Sequence, residues 1–216
     1  MAGTADPGYF FNERLDVAAL VPPGALSILD AGCGAGRLGA HLKSILPGRR
    51  VAGIERDGAM ATQARSVLDE VVTADLETLP PPFPPGTFDC IIFADILEHL
   101  IDPEALLRRF RPMLRPEGCI VCSIPNIRHY SALLKLLLRG WVYEEYGLFD
   151  RTHLRFFSLR GMQEMIRNAG YTIDLVRPRI HTSRKVRILT APVRGHIQEF
   201  LALQYLLRAL PHQERT

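Results

Sequence analysis

Residues 28–36 read Ile28-Leu-Asp-Ala-Gly-Cys-Gly-Ala-Gly36, an apolar run that ends on an acid and breaks into three glycines at alternate positions. Taken from Leu26 to Asp30, the run has the length and composition of a buried strand. A helical pattern follows from about Arg37 to Leu46 and is stopped by Pro47-Gly48. Strand, glycine turn and helix in that order open a βαβ unit, and the glycines permit positive φ and close approach of a ligand to the backbone. The same rhythm repeats outward from this point. Residues 50–54 are a second strand, 58–70 a helix, 71–74 a third strand and 89–94 a fourth, uncharged after its first residue and therefore central. Asp102-Pro103 opens a helix with an N-cap and a first-turn proline, and Leu106, Leu107, Phe110 and Leu114 fall on one face of it. Residues 119–124 are a fifth strand. Strands separated by helices imply right-handed crossovers and a parallel sheet covered on both faces: an α/β doubly wound domain.

Beyond Asn126 the rhythm lapses. A helix over 131–138, an irregular stretch to Phe157, a helix over 159–168 and a strand over 170–176 are expected, while 200–207 is helical by propensity alone. The 216 residues and 47% hydrophobic content suit one domain with a full core. Four cysteines in this length do not make a disulfide scaffold. No apolar run reaches membrane-spanning length and the first residues lack a signal-peptide pattern, so a cytoplasmic protein without membrane contact is expected. The net charge of +3 divides unevenly: residues 1–127 hold 11 Lys/Arg against 16 Asp/Glu, and residues 128–216 hold 15 against 7. Such a split suits an anionic partner for the second part. The basic residues there are scattered and not interleaved with aromatics, so a small molecule is expected and nucleic acid is not.

Asp30, Glu55, Asp75 and Asp95 each close one of four consecutive strands. Ligands of doubly wound sheets bind beyond the carboxyl ends of the strands, so the four acids share one rim. A carboxylate ending the second strand can accept both hydroxyls of a ribose, which points to a nucleoside of either of two cofactor classes. Gly34-Ala-Gly36-Arg-Leu-Gly39 also fits the dinucleotide turn G-x-G-x-x-G. Four acids suit a cofactor with a sulfonium and an α-amino group better than a pyrophosphate.

Over residues 9–177 the chain resembles the class I S-adenosylmethionine-dependent methyltransferases. Residues 28–36 are similar to their glycine-rich motif, Gly53-Ile-Glu55 to their ribose-binding acid, and Thr73-Ala-Asp75-Leu76 to the stretch that meets the adenine amine. Phe88-Asp-Cys-Ile-Ile-Phe-Ala-Asp-Ile-Leu-Glu-His-Leu100 resembles the fourth-strand motif, and Leu114-Arg-Pro-Glu-Gly118 the turn into strand five. The resemblance implies S-adenosylmethionine as cofactor, held by Asp30, Gly32, Cys33, Gly34, Gly36, Glu55, Asp75, Leu76 and Asp95. It also implies a seven-stranded Rossmann-like sheet in the order 3-2-1-4-5-7-6 with strand 7 antiparallel. That topology needs a last strand, which is placed at 200–207 against its helical propensity. One domain results: an N-terminal cover (1–25), a cofactor-binding core (26–126), a lid or acceptor insertion (127–157) and the rest of the sheet (158–216). Gly147-Leu-Phe-Asp-Arg-Thr-His-Leu-Arg-Phe-Phe-Ser158 is similar to a bacterial subgroup with a D-R-T-H-L-R-F-F signature, whose members resemble methyltransferases of sugar biosynthesis. Ser123-Ile-Pro-Asn-Ile127 is also similar to a methionine-biosynthesis family with the same core.

Two features can carry catalysis. Asp95-Ile-Leu-Glu98-His99 has a form seen in methyltransferases that bind a divalent ion, and in a helical turn positions i, i+3 and i+4 share a face. Metal-free relatives carry a similar Leu-Glu-His-Leu, so no metal is expected, with Asp95, Glu98 and His99 the candidates if one binds. His153 stands between Arg151 and Arg155; it is a base for an alcohol, together with His99, or a residue that pins the lid. Arg151 and Arg155 suit an acidic acceptor. Trp141, Tyr143 and Tyr146 form an aromatic wall for a sugar ring or pack the lid, and Tyr9, Phe10 and Phe11 cover the cofactor mouth. Cys119 and Cys122 point to opposite faces of a strand and read as core residues. The expected activity is O-methylation of a small, anionic or sugar-type acceptor. The rival is a non-catalytic partner that keeps the fold, whose mark would be exposed apolar surface over 133–138.

Overall fold

The structure is a computed structural model and describes residues 13–180 and 194–212. Seven strands form one sheet: β1 (Ser27–Ala31), β2 (Arg50–Glu55), β3 (Glu70–Thr73), β4 (Phe88–Ala94), β5 (Leu114–Pro125), β6 (Tyr171–Arg179) and β7 (Gln204–Pro211). Their order is β3-β2-β1-β4-β5-β7-β6. The first five pair in parallel, and β7 runs antiparallel between β5 and β6. The helices are α1 (Leu15–Ala18), α2 (Arg37–Ile45), α3 (Gly58–Ala64), α4 (Pro103–Phe110), α5 (Tyr130–Arg139), α6 (Leu159–Asn168) and α7 (Arg194–Leu201).

Burial on both faces explains why the central strands carry no alternation. On one face Leu29, Ile91, Phe93, Ile120 and Cys122 join Leu106, Leu107, Phe110 and Ile166. On the other, Ile28, Val51, Cys90, Ile92, Cys119 and Val121 join Val17, Leu38 and Leu42. Cys119 and Cys122 thus lie in different cores, and all four cysteines are buried thiols. Helix starts follow local chemistry: Asp57 accepts from the amides of Ala59 and Met60, Asp102 from Ala105, and Ser158 from Gly161.

Several expected boundaries move. The helix after β2 ends at Ala64, not at residue 70, and turns lead into β3. The helix opened by Asp102 ends at Phe110, because Pro112 forces a short 3₁₀ turn over Arg111–Met113, and Leu114 begins β5. The segment 200–207 is divided. Phe200 and Leu201 finish α7, as their propensity asks, and β7 starts four residues later than expected, at Gln204. Tyr9, Phe10 and Phe11 lie outside the described residues.

Candidate functional site

The glycine loop closes β1. Gly32, Gly34 and Gly36 have φ of +83°, +52° and +80°, where only glycine is unstrained. The amides of Gly32 and Cys33 both donate to the Ile54 carbonyl, which stitches the loop to the end of β2. A Cβ on Gly32 would stand 2.3 Å from the Ile96 side chain, so this glycine also lets the segment after β4 close over the loop. Cys33 is buried, and burial pushes its thiol pKa up.

Two of the rim acids, Asp30 and Glu55, repel each other electrostatically. Glu55 accepts from the Gly34 amide through one carboxylate oxygen (2.8 Å) and from the Asp57 amide through the other (2.8 Å). Asp30 is 3% exposed, and no hydrogen bond from the described residues reaches its carboxyl group. Burial and the Glu55 carboxylate raise its pKa to about 7, with Arg14 pulling the other way. Asp75 lies farther out, half exposed; its carboxylate accepts from the Glu77 amide (2.9 Å) and stands 3.9 Å from Arg56, while Leu76 beside it is buried.

Asp95 sits differently from the other acids. It adopts φ +54°, and its buried carboxylate is held by the Arg14 guanidinium, by the Ser123 hydroxyl (2.8 Å) and by the Gln204 amide (3.1 Å). Arg14 also donates to Ser123 at 2.7 Å. This network ties the chain before β1 to β4, β5 and β7. Arg14 and Gln204 carry no signal in the sequence, since 81 residues separate Arg14 from Asp95. Ser123, a hydroxyl in the otherwise apolar run 119–124, does.

The left-handed turn at Asp95 also breaks the expected i, i+3, i+4 face. Residues Leu97–His99 form a 3₁₀ turn, not an α-turn, and the group brought together is Glu98, His99 and His153, without Asp95. One carboxylate oxygen of Glu98 and one ring nitrogen from each histidine lie within 4.8 Å of one another. The Glu98 carbonyl accepts from the amides of Leu154 and Arg155, which presses the 150–155 segment onto the turn. The histidine rings meet edge to face at 4.7 Å. Burial lowers the pKa of both, and His99 lowers that of His153 further. Burial and Asp95 raise the Glu98 pKa well above the usual carboxylate range.

The remaining candidates serve different ends. The Arg155 guanidinium caps the Ile101 carbonyl, while Arg151 projects from the surface. Trp141 packs edge-on against Tyr143, Phe149 and Phe156. Tyr146 lines a cavity of about 190 Å³ with Lys135, Glu144, Phe149 and Leu203.

A family profile described as a methyltransferase domain matches residues 7–176. The chain belongs to the methyltransferase-domain family. The methyltransferase domain is similar to an uncharacterised 37.1 kDa protein in transposon TN4556 of Streptomyces fradiae, 38% identical over 46% of this chain and 30% of that protein. It is also similar to the ubiquinone biosynthesis O-methyltransferase of Cereibacter sphaeroides, 27% identical over 72% of this chain and 64% of that protein. The chain thus spans from under a third to under two-thirds of these relatives' length. In fold it matches the S-adenosylmethionine-dependent methyltransferase of Archaeoglobus fulgidus, with TM-score 0.68 and 18% identity over 95% of this chain and all of that one. Among the described residues no helix is long and apolar enough to cross a membrane.

Proposed function

We propose that the protein transfers a methyl group from S-adenosylmethionine to a hydroxyl or carboxylate oxygen of a small, anionic or sugar-type acceptor. The observation that carries this reading is the Asp30 carboxyl: buried, beside Glu55, and without a hydrogen-bond donor among the described residues. A cationic ligand group is what that position lacks, and the cofactor carries an ammonium and a sulfonium. Glu55 spends one acceptor site of each oxygen on backbone amides and keeps the others for a ribose diol. The amides and positive-φ glycines of residues 32–36 let the ligand lie against the backbone.

When bound, the cofactor would supply its sulfonium methyl group to an acceptor oxygen attacking in line, with S-adenosylhomocysteine as the leaving group. The chain's part is to hold the two reactants in register and to handle the acceptor proton. Ile96 abuts Gly32 and leads directly into Glu98 and His99, so the histidine pair lies on the acceptor side of the glycine loop. The proton of an acceptor hydroxyl falls to this group. Arg151 offers charge to an anionic acceptor, and Tyr146 a ring at the nearby cavity. The name of the Cereibacter relative supports oxygen as the receiving atom. One observation favours the second reading, a non-catalytic partner: Leu133, Leu134, Leu136, Leu137 and Leu138 are all exposed on α5.

Methyl-labelled S-adenosylmethionine offered with phenolic acids, uronic acids and nucleotide sugars tests the proposal. Label transferred to an oxygen is the expected result. Transfer to nitrogen overturns the oxygen assignment, and cofactor binding without transfer to any acceptor favours the second reading.

A further inference from the structure

Glu98 is 1% exposed, and neither of its carboxylate oxygens has a hydrogen-bond partner among the described residues. An ionised carboxylate in that setting lacks a counter-charge, and a neutral acid lacks an acceptor for its proton. What stands near it is two imidazoles, each with a nitrogen inside the same 4.8 Å cluster. On both rings Nδ1 is engaged. His99 Nδ1 lies 3.1 Å from the Thr152 carbonyl and 3.1 Å from the Thr152 hydroxyl, which itself donates to Asp150 at 2.7 Å. His153 Nδ1 faces the Leu148 carbonyl at 3.4 Å. Carbonyl partners place the proton on Nδ1 of both rings, so the Nε2 lone pairs are the ones left to act. Metal-binding histidines are oriented in this way, through a carbonyl or carboxylate on the far nitrogen.

We propose that Glu98, His99 and His153 bind a divalent transition-metal ion through one carboxylate oxygen and two Nε2 atoms. Two imidazoles and one carboxylate make a borderline donor set that suits Zn²⁺, Co²⁺, Fe²⁺ or Mn²⁺ and not Mg²⁺, which prefers oxygen throughout. Three protein ligands leave coordination room for an outside oxygen. This replaces the Asp95, Glu98, His99 set expected from the sequence: Asp95 is committed to Arg14, Ser123 and Gln204, and His153 stands in its place. The ligand site is independent of the cofactor. With the ion bound, neither ring keeps a lone pair for a proton, and the site would act by lowering the pKa of an acceptor hydroxyl in the open position; this use rests on the methyltransferase reading above.

Co²⁺ titrated into the chelator-treated full chain, without cofactor or acceptor, tests the site by its visible absorption and by equilibrium dialysis. One ion per chain is expected, with bands characteristic of nitrogen and oxygen ligation. Glu98→Gln, which keeps the shape of the side chain, and His153→Ala should each weaken binding at least tenfold, while Asp95→Asn should not. Far-UV circular dichroism and thermal unfolding, measured on the same variants, show that each is folded. Absence of stoichiometric Co²⁺, or equal binding by the Glu98 and His153 variants, overturns the site. Loss of binding in Asp95→Asn with retention in His153→Ala overturns this ligand set. Because the readout is metal binding alone, failure of methyl transfer leaves these outcomes distinguishable.

Discussion

Asp30 shows how a single carboxyl group couples stability to ligand binding. Its pKa in the fold is about 7 against an ordinary value of 3.8, so the folded state holds a proton that the unfolded chain has released. The sign follows: the charge at Asp30 costs stability progressively as pH rises from about 4 to about 7, and the cost is constant above. Asp30→Asn removes that cost. The variant should melt at a higher temperature than wild type at pH 8, by a margin that shrinks as the pH falls towards 4. It should also bind S-adenosylhomocysteine about 10- to 100-fold more weakly at pH 8, since a charged hydrogen bond contributes roughly 1.5–3 kcal/mol. A variant both less stable and fully binding would remove Asp30 from the cofactor site. Glu55→Ala should lose affinity by a similar factor in calorimetry, and it additionally strands the Gly34 amide at 2.8 Å from where its acceptor stood. Unchanged affinity would show that the diol is held elsewhere.

At the scale of elements, β7 is the clearest case of tertiary context acting on a weak local preference. It is flanked on both sides, pairing antiparallel with β5 and with β6, and its adjacent side chains enter different cores: Leu206 one, Leu207 the other. Leu206→Ala and Leu207→Ala should each therefore cost about 2–5 kcal/mol in denaturant unfolding, the usual range for a buried leucine. Leu210→Ala, at 38% exposure near the strand end, should cost well under either. Equal costs at all three positions would contradict the register. The same element carries Gln204 to Asp95, so the last strand in the sequence completes a hydrogen-bond network begun by Arg14.

For the molecule as a whole, a ligand that binds only the folded state stabilises it by about 2.7 kcal/mol at a hundred times its dissociation constant. In a chain of this size that is a rise of about 5–10 °C in Tm. S-adenosylhomocysteine should produce it, and NAD should not, because the rim of Asp30 and Glu55 opposes a pyrophosphate. A shift with NAD in place of S-adenosylhomocysteine would return the glycine loop to the dinucleotide reading. The charge division between the two parts of the chain persists in the fold: Arg128, Lys135, Arg160 and Arg208 pair with acids of their own part, and of these cations only Arg179 reaches across, to Asp16. Arg151, exposed two residues before His153, is the side chain on which the proposed anionic acceptor rests.

The amino-acid sequence alone determined the doubly wound core, the glycine loop after β1, the acids at the ends of the strands and, through its family resemblance, the strand order. These are legible because they rest on local facts: apolar runs of strand length, caps one to three residues away, and glycines where φ turns positive. Only the tertiary structure decided which of those acids work together. Asp95 turned to Arg14, 81 residues away, and its expected place beside Glu98 and His99 went to His153, held there by contacts such as that between His99 and Thr152 across 53 residues. It also decided where the last strand begins, since 200–207 is helical by propensity alone and pairing with β5 and β6 overrides that preference from Gln204 onward. Periodicity within a dozen residues specifies an element; which side chains meet at the end of a sheet depends on loops crossing between strands, and no local pattern encodes that.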